Sequence, residues 1–252
     1  MSDPKRILVL GGTRQARLLA DALVEAGYEV TYSIAGVTED PRVTLKARLR
    51  KGGFGGADGL AGWCVGQSIQ AVIDGTHPFA ARMSRNAVKA AMLLNLPMLR
   101  LDRERWVAGE GDQWRYFNDF DAMALELLES EPLKIFASIG RQDVFRFQPL
   151  KQHRWWFRSV EPAEKYPLNS EALLGKGPFT FDGELALLSD NKVDLILAKD
   201  SGGASGYEKL KAANQLGLPV WLLQRPVLPP ADLAYDKQQA LAWVAKLGTG
   251  RV

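Results

Sequence analysis

Sulfur chemistry is nearly absent from this sequence, which has one cysteine, Cys64, among 252 residues. A lone thiol excludes an internal disulfide and any cysteine-based metal cluster, and it fits a reducing cytosol. Histidine is almost as scarce: only His77 and His153 are present, and no metal-ligand spacing, paired-carboxylate site or nucleophile triad stands out. An excess of one charge is missing too. The 32 basic residues face 29 acidic ones, a formal net charge of +3, which is not the bulk charge of a nucleic-acid protein. Focused basic patches for an anionic ligand remain compatible with it. No apolar run approaches the roughly 18 to 20 residues of a membrane span. "KRILVL" gives only four apolar residues before the first glycines, unlike a signal peptide. These absences predict a soluble cytoplasmic protein with neither a membrane nor a nucleic-acid partner, and with no metal.

What the chain does have is alternation. Apolar runs and helical patterns follow one another from "ILVL" (7–10) and the helical stretch 13–26 through "YEVTYSIAG", "ARLRKGGFGG", "DGLAGWCVG", "QAVIDGTHPF", "AARMSRNAVKAAMLLNL" and "PMLRL". Strands separated by helices of this length predict parallel, doubly wound sheets, with ligands at the strands' carboxyl ends. The pattern loosens after Arg105. A second series follows with "KIFASIG", "RWWFRSV", "DGELALLSDN", "VDLILAKDSGG", "YEKLKAANQLG", "PVWLLQ" and a last helix "KQQALAWVAKL". The expected architecture is α/β, two Rossmann-like domains of similar size. Residues 1–118 form the first and 119–252 the second, with strands near the boundary free to join either sheet.

Glycine marks where chemistry is expected. Gly11-Gly12-Thr13 joins a strand to a helix, the usual way to cradle a phosphate. It is not a full G-x-G-x-x-G fingerprint, because Arg14 follows and Ala16 is the nearest small residue to the third glycine. The second strand ends in "YSIAG", without the acid that accepts ribose hydroxyls, while Arg14, Arg17 and Arg48 are near enough in sequence to face a 2′-phosphate. This favours NADP over NAD; solvated surface charge is the bland alternative. In "GGFGG", four glycines in five residues cost backbone entropy and a lone Phe gains little core, so close approach to a flat ligand is the better reading. His77 and Pro78 sit at a strand end, and Arg82 and Arg85 share one helix face. Arg141 follows Gly140, Ser201-Gly202-Gly203 enter a helix whose amide end attracts anions, and Lys199 and Lys209 add charge there. Tyr207 and Lys211 form the Tyr-x-x-x-Lys spacing of short-chain dehydrogenases, and His153 reads as structural.

In order along the chain, "ILVLGGTRQARLLA", "SIAG", "GGFGG", "VIDGTHPFA", "LRLDRERW", "GRQ", "KDSGG" and "AANQLGLPV" closely resemble the precorrin-6A reductase family of cobalamin (vitamin B12) biosynthesis. The resemblance runs from Ile7 to about Pro226. It departs at Gln15, where Glu is common in the family, and at Asp200, where Asn is. It implies two Rossmann-like domains with cofactor and substrate meeting in the cleft between them, and hydride transfer from NADPH to a conjugated tetrapyrrole. The cofactor candidates are Gly11, Gly12, Thr13, Arg14, Arg17, Ala35, Gly36, Arg48, Gly52, Gly53, Gly55, Gly56, Thr76, His77 and Pro78. The substrate candidates are Arg82, Arg85, Gly140, Arg141, Lys199, Ser201, Gly202, Gly203 and Lys209, whose charges suit the macrocycle's carboxylates. His77, Tyr207 and water are open as proton donor. A monomer or small homo-oligomer is expected. A short-chain-type carbonyl reductase and a non-catalytic NADP(H) sensor are the competing classes.

Overall fold

A computed structural model describes residues 5–34, 45–204 and 206–249. In chain order the first elements are β1 (Arg6–Leu10), α1 (Arg14–Glu25), β2 (Glu29–Ile34), β3 (Arg48–Lys51), α2 (Ala57–Gly66), β4 (Ala71–Asp74), α3 (Ala81–Leu94) and β5 (Met98–Leu101). Next come β6 (Gln113–Phe117), α4 (Phe120–Leu128), β7 (Lys134–Ser138), a 3-10 helix (Arg141–Phe147), β8 (Arg154–Ser159), β9 (Ser170–Leu174) and α5 (Phe181–Asp190). The chain closes with β10 (Leu195–Lys199), α6 (Glu208–Leu216), β11 (Pro219–Leu223), β12 (Asp232–Ala234) and α7 (Lys237–Thr249).

The strands form two six-stranded sheets, ordered β12-β5-β4-β1-β2-β3 and β6-β11-β10-β7-β8-β9. Every pairing in both is parallel. This is the α/β class that the alternation predicts. In the first sheet the chain runs outward from β1 to β3 and then returns to β4, so the order reverses between β1 and β4. In the second it reverses between β7 and β10. Each reversal opens a crevice at the strands' carboxyl ends, where open α/β sheets bind ligands.

The first sheet is buried on both faces, as parallel sheets are. Along β1, Ile7 and Val9 join Leu19, Leu23, Leu99 and Val244 on one side. Leu8 and Leu10 join Leu60, Cys64, Val72 and Ala91 on the other, the period-2 alternation of a strand. Burial pushes the Cys64 thiol up to about 11, so it serves as a small apolar side chain. In the second unit, Phe136, Ile196, Leu210 and Val220 belong to one buried cluster, and Trp155 stacks on Phe157 at 5.1 Å. His153 is structural, as its sequence setting predicts. Its Nδ1 accepts the Leu133 N–H at 3.1 Å and its Nε2 donates to the Leu127 carbonyl at 2.9 Å. Burial lowers its pKa.

The predicted boundary at residue 118 needs correction. The compact units are 1–103 with 226–252, and 104–225. β6 lies before the predicted boundary but pairs with β11, and β12 lies far after it but pairs with β5. The three strands without a clear sequence signal, β6, β9 and β12, are all edge strands. An edge strand is half solvated and needs no continuous apolar run. No helix among the described residues is long and apolar enough to cross a membrane.

Helix α1 approaches the turn after β4 as closely as backbone allows. A Cβ on Gly75 would lie 2.5 Å from the Ala16 Cβ and 3.3 Å from the Leu10 carbonyl oxygen. Gly75 and Ala16 therefore share the packing task that a third fingerprint glycine performs elsewhere. We expect Gly75→Ala to cost about 1 to 3 kcal/mol as overpacking, read as a lowered Tm. Adding Ala16→Gly should return part of that loss, so a double-mutant cycle should show favourable coupling; simple additivity would contradict the contact.

Candidate functional site

At the carboxyl end of β1 the chain is stripped to backbone. A Cβ on Gly11 would meet the Tyr32 ring at 2.2 Å, and Gly12 adopts φ +110°, so side chains are disfavoured at both positions. Tyr32 holds the turn by accepting the Gly12 N–H on its hydroxyl at 2.9 Å. Thr13 caps α1: its Oγ1 accepts the Ala16 N–H at 3.2 Å and donates to the Gly75 carbonyl at 2.7 Å. The N–H groups of Arg14 and Gln15 open the helix and have no carbonyl one turn earlier within it. With the helix dipole they form an anion site. Arg14 is exposed there, whereas Arg17 pairs with Asp21 at 3.5 Å. Arg103, which sequence reasoning did not single out, donates its Nε–H to Gln15 Oε1 at 3.2 Å and brings a further cation to this helix end.

The neighbouring strand β4 ends in Asp74, which is 1% exposed. Its Oδ1 accepts the Thr76 hydroxyl at 2.6 Å and the Thr76 N–H at 3.1 Å. This fixes the turn that presents His77 and Pro78. His77 Nδ1 accepts the Phe79 N–H at 3.3 Å, so in the neutral ring the proton resides on Nε2. Thr13, Thr76 and His77 thus gather at one crevice, as their strand-end positions predict. Arg82 is exposed in the first turn of α3. Arg85 is tied to the Val227 carbonyl at 3.1 Å, a structural bond that employs the side chain predicted for substrate. Ala35 and Gly36 lie outside the described residues.

The glycine loop has more structural cause than its sequence conveys. Gly52, Gly55 and Gly56 have φ of +107°, +78° and +97°, and Gly53 has open space around it. Phe54 is not idle: it meets Trp63 edge-on at 5.5 Å and lies 3.6 Å beneath the Arg50 guanidinium. Arg50 also donates to Ser33 Oγ at 3.2 Å and to the carbonyls of Gly52 and Gly53 at 2.6 and 2.9 Å. Arg48 begins β3 and reaches toward Gln67, at the amino edge of a parallel sheet and away from the crevice. The arginine beside the glycine loop is therefore Arg50, not Arg48. Both belong to one face of the strand; only the rule that ligands take carboxyl ends separates them.

In the second unit, Gly140 (φ +84°) follows β7 and Arg141 opens the 3-10 helix. Arg141 is half exposed and pairs with Glu161 at 2.9 Å. Lys199 ends β10 and pairs with Asp143 at 2.7 Å. Contrary to the sequence expectation, Ser201, Gly202 and Gly203 do not enter α6 directly: the helix begins at Glu208, and the three residues form a separate loop. Lys209 leaves the predicted cradle altogether. It is 6% exposed, donates to the Gly206 carbonyl at 2.6 Å and has its Nζ 5.1 Å from the Trp106 ring. The Tyr207–Lys211 spacing also builds no catalytic pair. Lys211 is bonded to Glu208 at 2.8 Å with its ammonium 5.7 Å over the Tyr207 ring, and Tyr207 packs against the buried cluster.

Comparison with known proteins matches nearly the full length of the chain. The family described as "Precorrin-6x reductase CbiJ/CobK" matches residues 6–245. The chain belongs to that family. It is 42% identical over 245 residues to a precorrin-6A reductase of Rhodococcus erythropolis, covering 96% of this chain and 98% of that one. It is 43% identical over 235 residues to a precorrin-6A reductase of a Sinorhizobium species, covering 92% and 88%. A solved structure titled "CobK precorrin-6A reductase" superposes with a TM-score of 0.90 at 37% identity, covering 97% of this chain and 98% of that one. Membership in this reductase family makes the protein an oxidoreductase that draws on a nicotinamide cofactor.

Lys209 carries a pH signature of the second unit. Burial pulls its ammonium down to about 8, with Glu184 opposing and Arg158 reinforcing the shift. Between about pH 8 and the unfolded value near 10.4, the unfolded chain holds a proton that the folded chain has released. Stability from this residue therefore rises with pH across that window. In chemical denaturation, wild type should gain roughly 1 to 3 kcal/mol over Lys209→Met between pH 7 and pH 10. A constant difference would contradict the burial.

Proposed function

We propose that this protein reduces a double bond of the precorrin-6A macrocycle with hydride from NADPH, giving dihydroprecorrin-6 (precorrin-6B) in cobalamin biosynthesis in the cytoplasm. The observation that carries the proposal is the backbone-only turn at Gly11–Thr13, capped onto α1 and joined to the β4 turn, in a chain matched along its length to precorrin-6A reductases. That turn suits a dinucleotide's pyrophosphate because its first-turn amides point out of the helix and no side chain blocks approach. NADPH rather than NADH is favoured by the end of β2, where Ser33 and Ile34 supply no acid for the ribose hydroxyls. In its place Arg50 reaches Ser33 Oγ, the arrangement that accommodates a 2′-phosphate.

The nicotinamide supplies the hydride when bound, and the chain's work is orientation, charge and a proton. Charge builds in the macrocycle's conjugated system as hydride adds, and a nearby donor relieves it. His77 fits that role, because the Phe79 N–H occupies Nδ1 and leaves the proton on Nε2. Arg141 fits the substrate's carboxylates. Its pairing with Glu161 is an exposed one worth about 0 to 1 kcal/mol, so a substrate carboxylate can take that partner's place at little cost. Gly140 and the loop 201–203 give the macrocycle walls without bulky side chains.

Arg50→Ala should weaken NADPH by about 10- to 150-fold while leaving NADH within twofold, since a hydrogen bond to a charged group is worth roughly 1.5 to 3 kcal/mol. Cofactor fluorescence titration measures this. Equal losses for both cofactors would make Arg50 a loop-holding residue only. Arg141→Ala should raise the KM for precorrin-6A by about 3- to 10-fold with the Kd of NADPH unchanged, followed by NADPH absorbance and the product spectrum. Weaker NADPH with unchanged precorrin would reverse the roles of the two units.

A further inference from the structure

The loop 200–203 is held by a device that the reductase reading does not require. Arg225 is 9% exposed and directs its fork at main chain. Its Nε donates to the Asp200 carbonyl at 2.9 Å and its Nη2 reaches the Glu104 carbonyl at 3.5 Å. The Glu104 carbonyl also accepts the Gly203 N–H at 2.9 Å, and the Gly203 carbonyl accepts the Trp106 indole N–H at 2.7 Å. The loop is thus threaded between Arg225 and the 104–106 segment. Gly202 marks how tight the passage is. A Cβ there would lie 1.9 Å from Arg225 Nη2 and 2.3 Å from the Glu104 oxygen, at φ +64°.

The chemistry of this arrangement is specific. A guanidinium presents its donors in one rigid plane, so two carbonyls from segments distant in sequence are set at a fixed separation. Lysine, a point charge on a flexible stem, reaches one carbonyl but does not fix the second. Glu104 and Arg225 are also the first and last residues of the second unit, so the clamp joins the loop to both ends of that unit. The two carbonyls it grips are backbone groups, and Ser201, half-buried, lies within the loop they hold.

We propose that Arg225 is a positioning residue that holds loop 200–203 in the shape that receives the tetrapyrrole's carboxylates. The proposal rests on the reading of this loop as part of the substrate site. The carbonyls that Arg225 grips both belong to the second unit, so it acts on substrate affinity and not on cofactor affinity.

The test uses the full-length enzyme with NADPH and precorrin-6A, together with amide hydrogen exchange. Arg225→Ala should raise the KM for precorrin-6A at least fivefold and leave the NADPH Kd within twofold. It should speed exchange at residues 200–206 while the strands of the second sheet stay protected. Arg225→Lys, which keeps the buried charge and one donor, should fold like wild type and give a smaller rise in KM. An unchanged KM in a folded Arg225→Lys and Arg225→Ala pair overturns the proposal, as does a matching rise in NADPH Kd or a loss of protection across the whole sheet. Ser201→Asp, which adds a like charge facing the substrate's carboxylates, separates the two levels. If it leaves the KM unchanged, the loop's substrate role fails. If it raises the KM and both Arg225 variants do not, only the clamp fails.

Discussion

The contact between the first turn of α1 and the turn after β4 governs the candidate anion site of this protein. The Thr13 hydroxyl bridges the helix end to the Gly75 carbonyl, while Ala16 sits where a Gly75 side chain would be. Two parallel strands and a helix N-terminus are locked together there with nothing larger than a methyl between them. That closeness aims the α1 amides at the crevice and leaves room for a ligand's phosphates. It also sets where Asp74, Thr76 and His77 emerge, because they follow the same strand. Loss of this approach would displace the anion site and the candidate proton donor together.

The second unit repeats the topology with a different way of holding its loops. Its strand-end glycines are fixed by buried cations and backbone carbonyls: Arg225 on Asp200 and Glu104, Lys209 on Gly206. Other cations there are balanced by acids, half-exposed Arg141 by Glu161 and mostly buried Lys199 by Asp143. Such a surface is held in place without ligand and can exchange an exposed partner for a substrate carboxylate at modest cost. The buried cations shape the loop. From sequence alone, Lys199 and Lys209 look equivalent; burial gives them different tasks.

Much of the fold was legible because central parallel strands are buried on both faces and read as unbroken apolar runs, as "ILVL" and "LILA" do. The end of α1 was equally plain, with Gly27 following it. Edge strands such as β6, "QWRYF", carry no such signature because one side is solvated. The glycine turns were found by composition, and the family motifs by their order. The choice between Arg48 and Arg50 was not legible, since it depends on which end of a strand faces the crevice.

The sequence by itself determined the α/β class, the strand-turn-helix units and their glycine turns, and the family, because these rest on local patterning and motif order. Only the tertiary structure decided that residues 226–252 return to the first unit, because a three-residue edge strand is selected by its partner β5 and not by its own residues. It likewise decided which cations are buried, paired or exposed. Those outcomes depend on contacts between residues far apart in sequence, such as Arg225 with Glu104, where no local pattern records the partner.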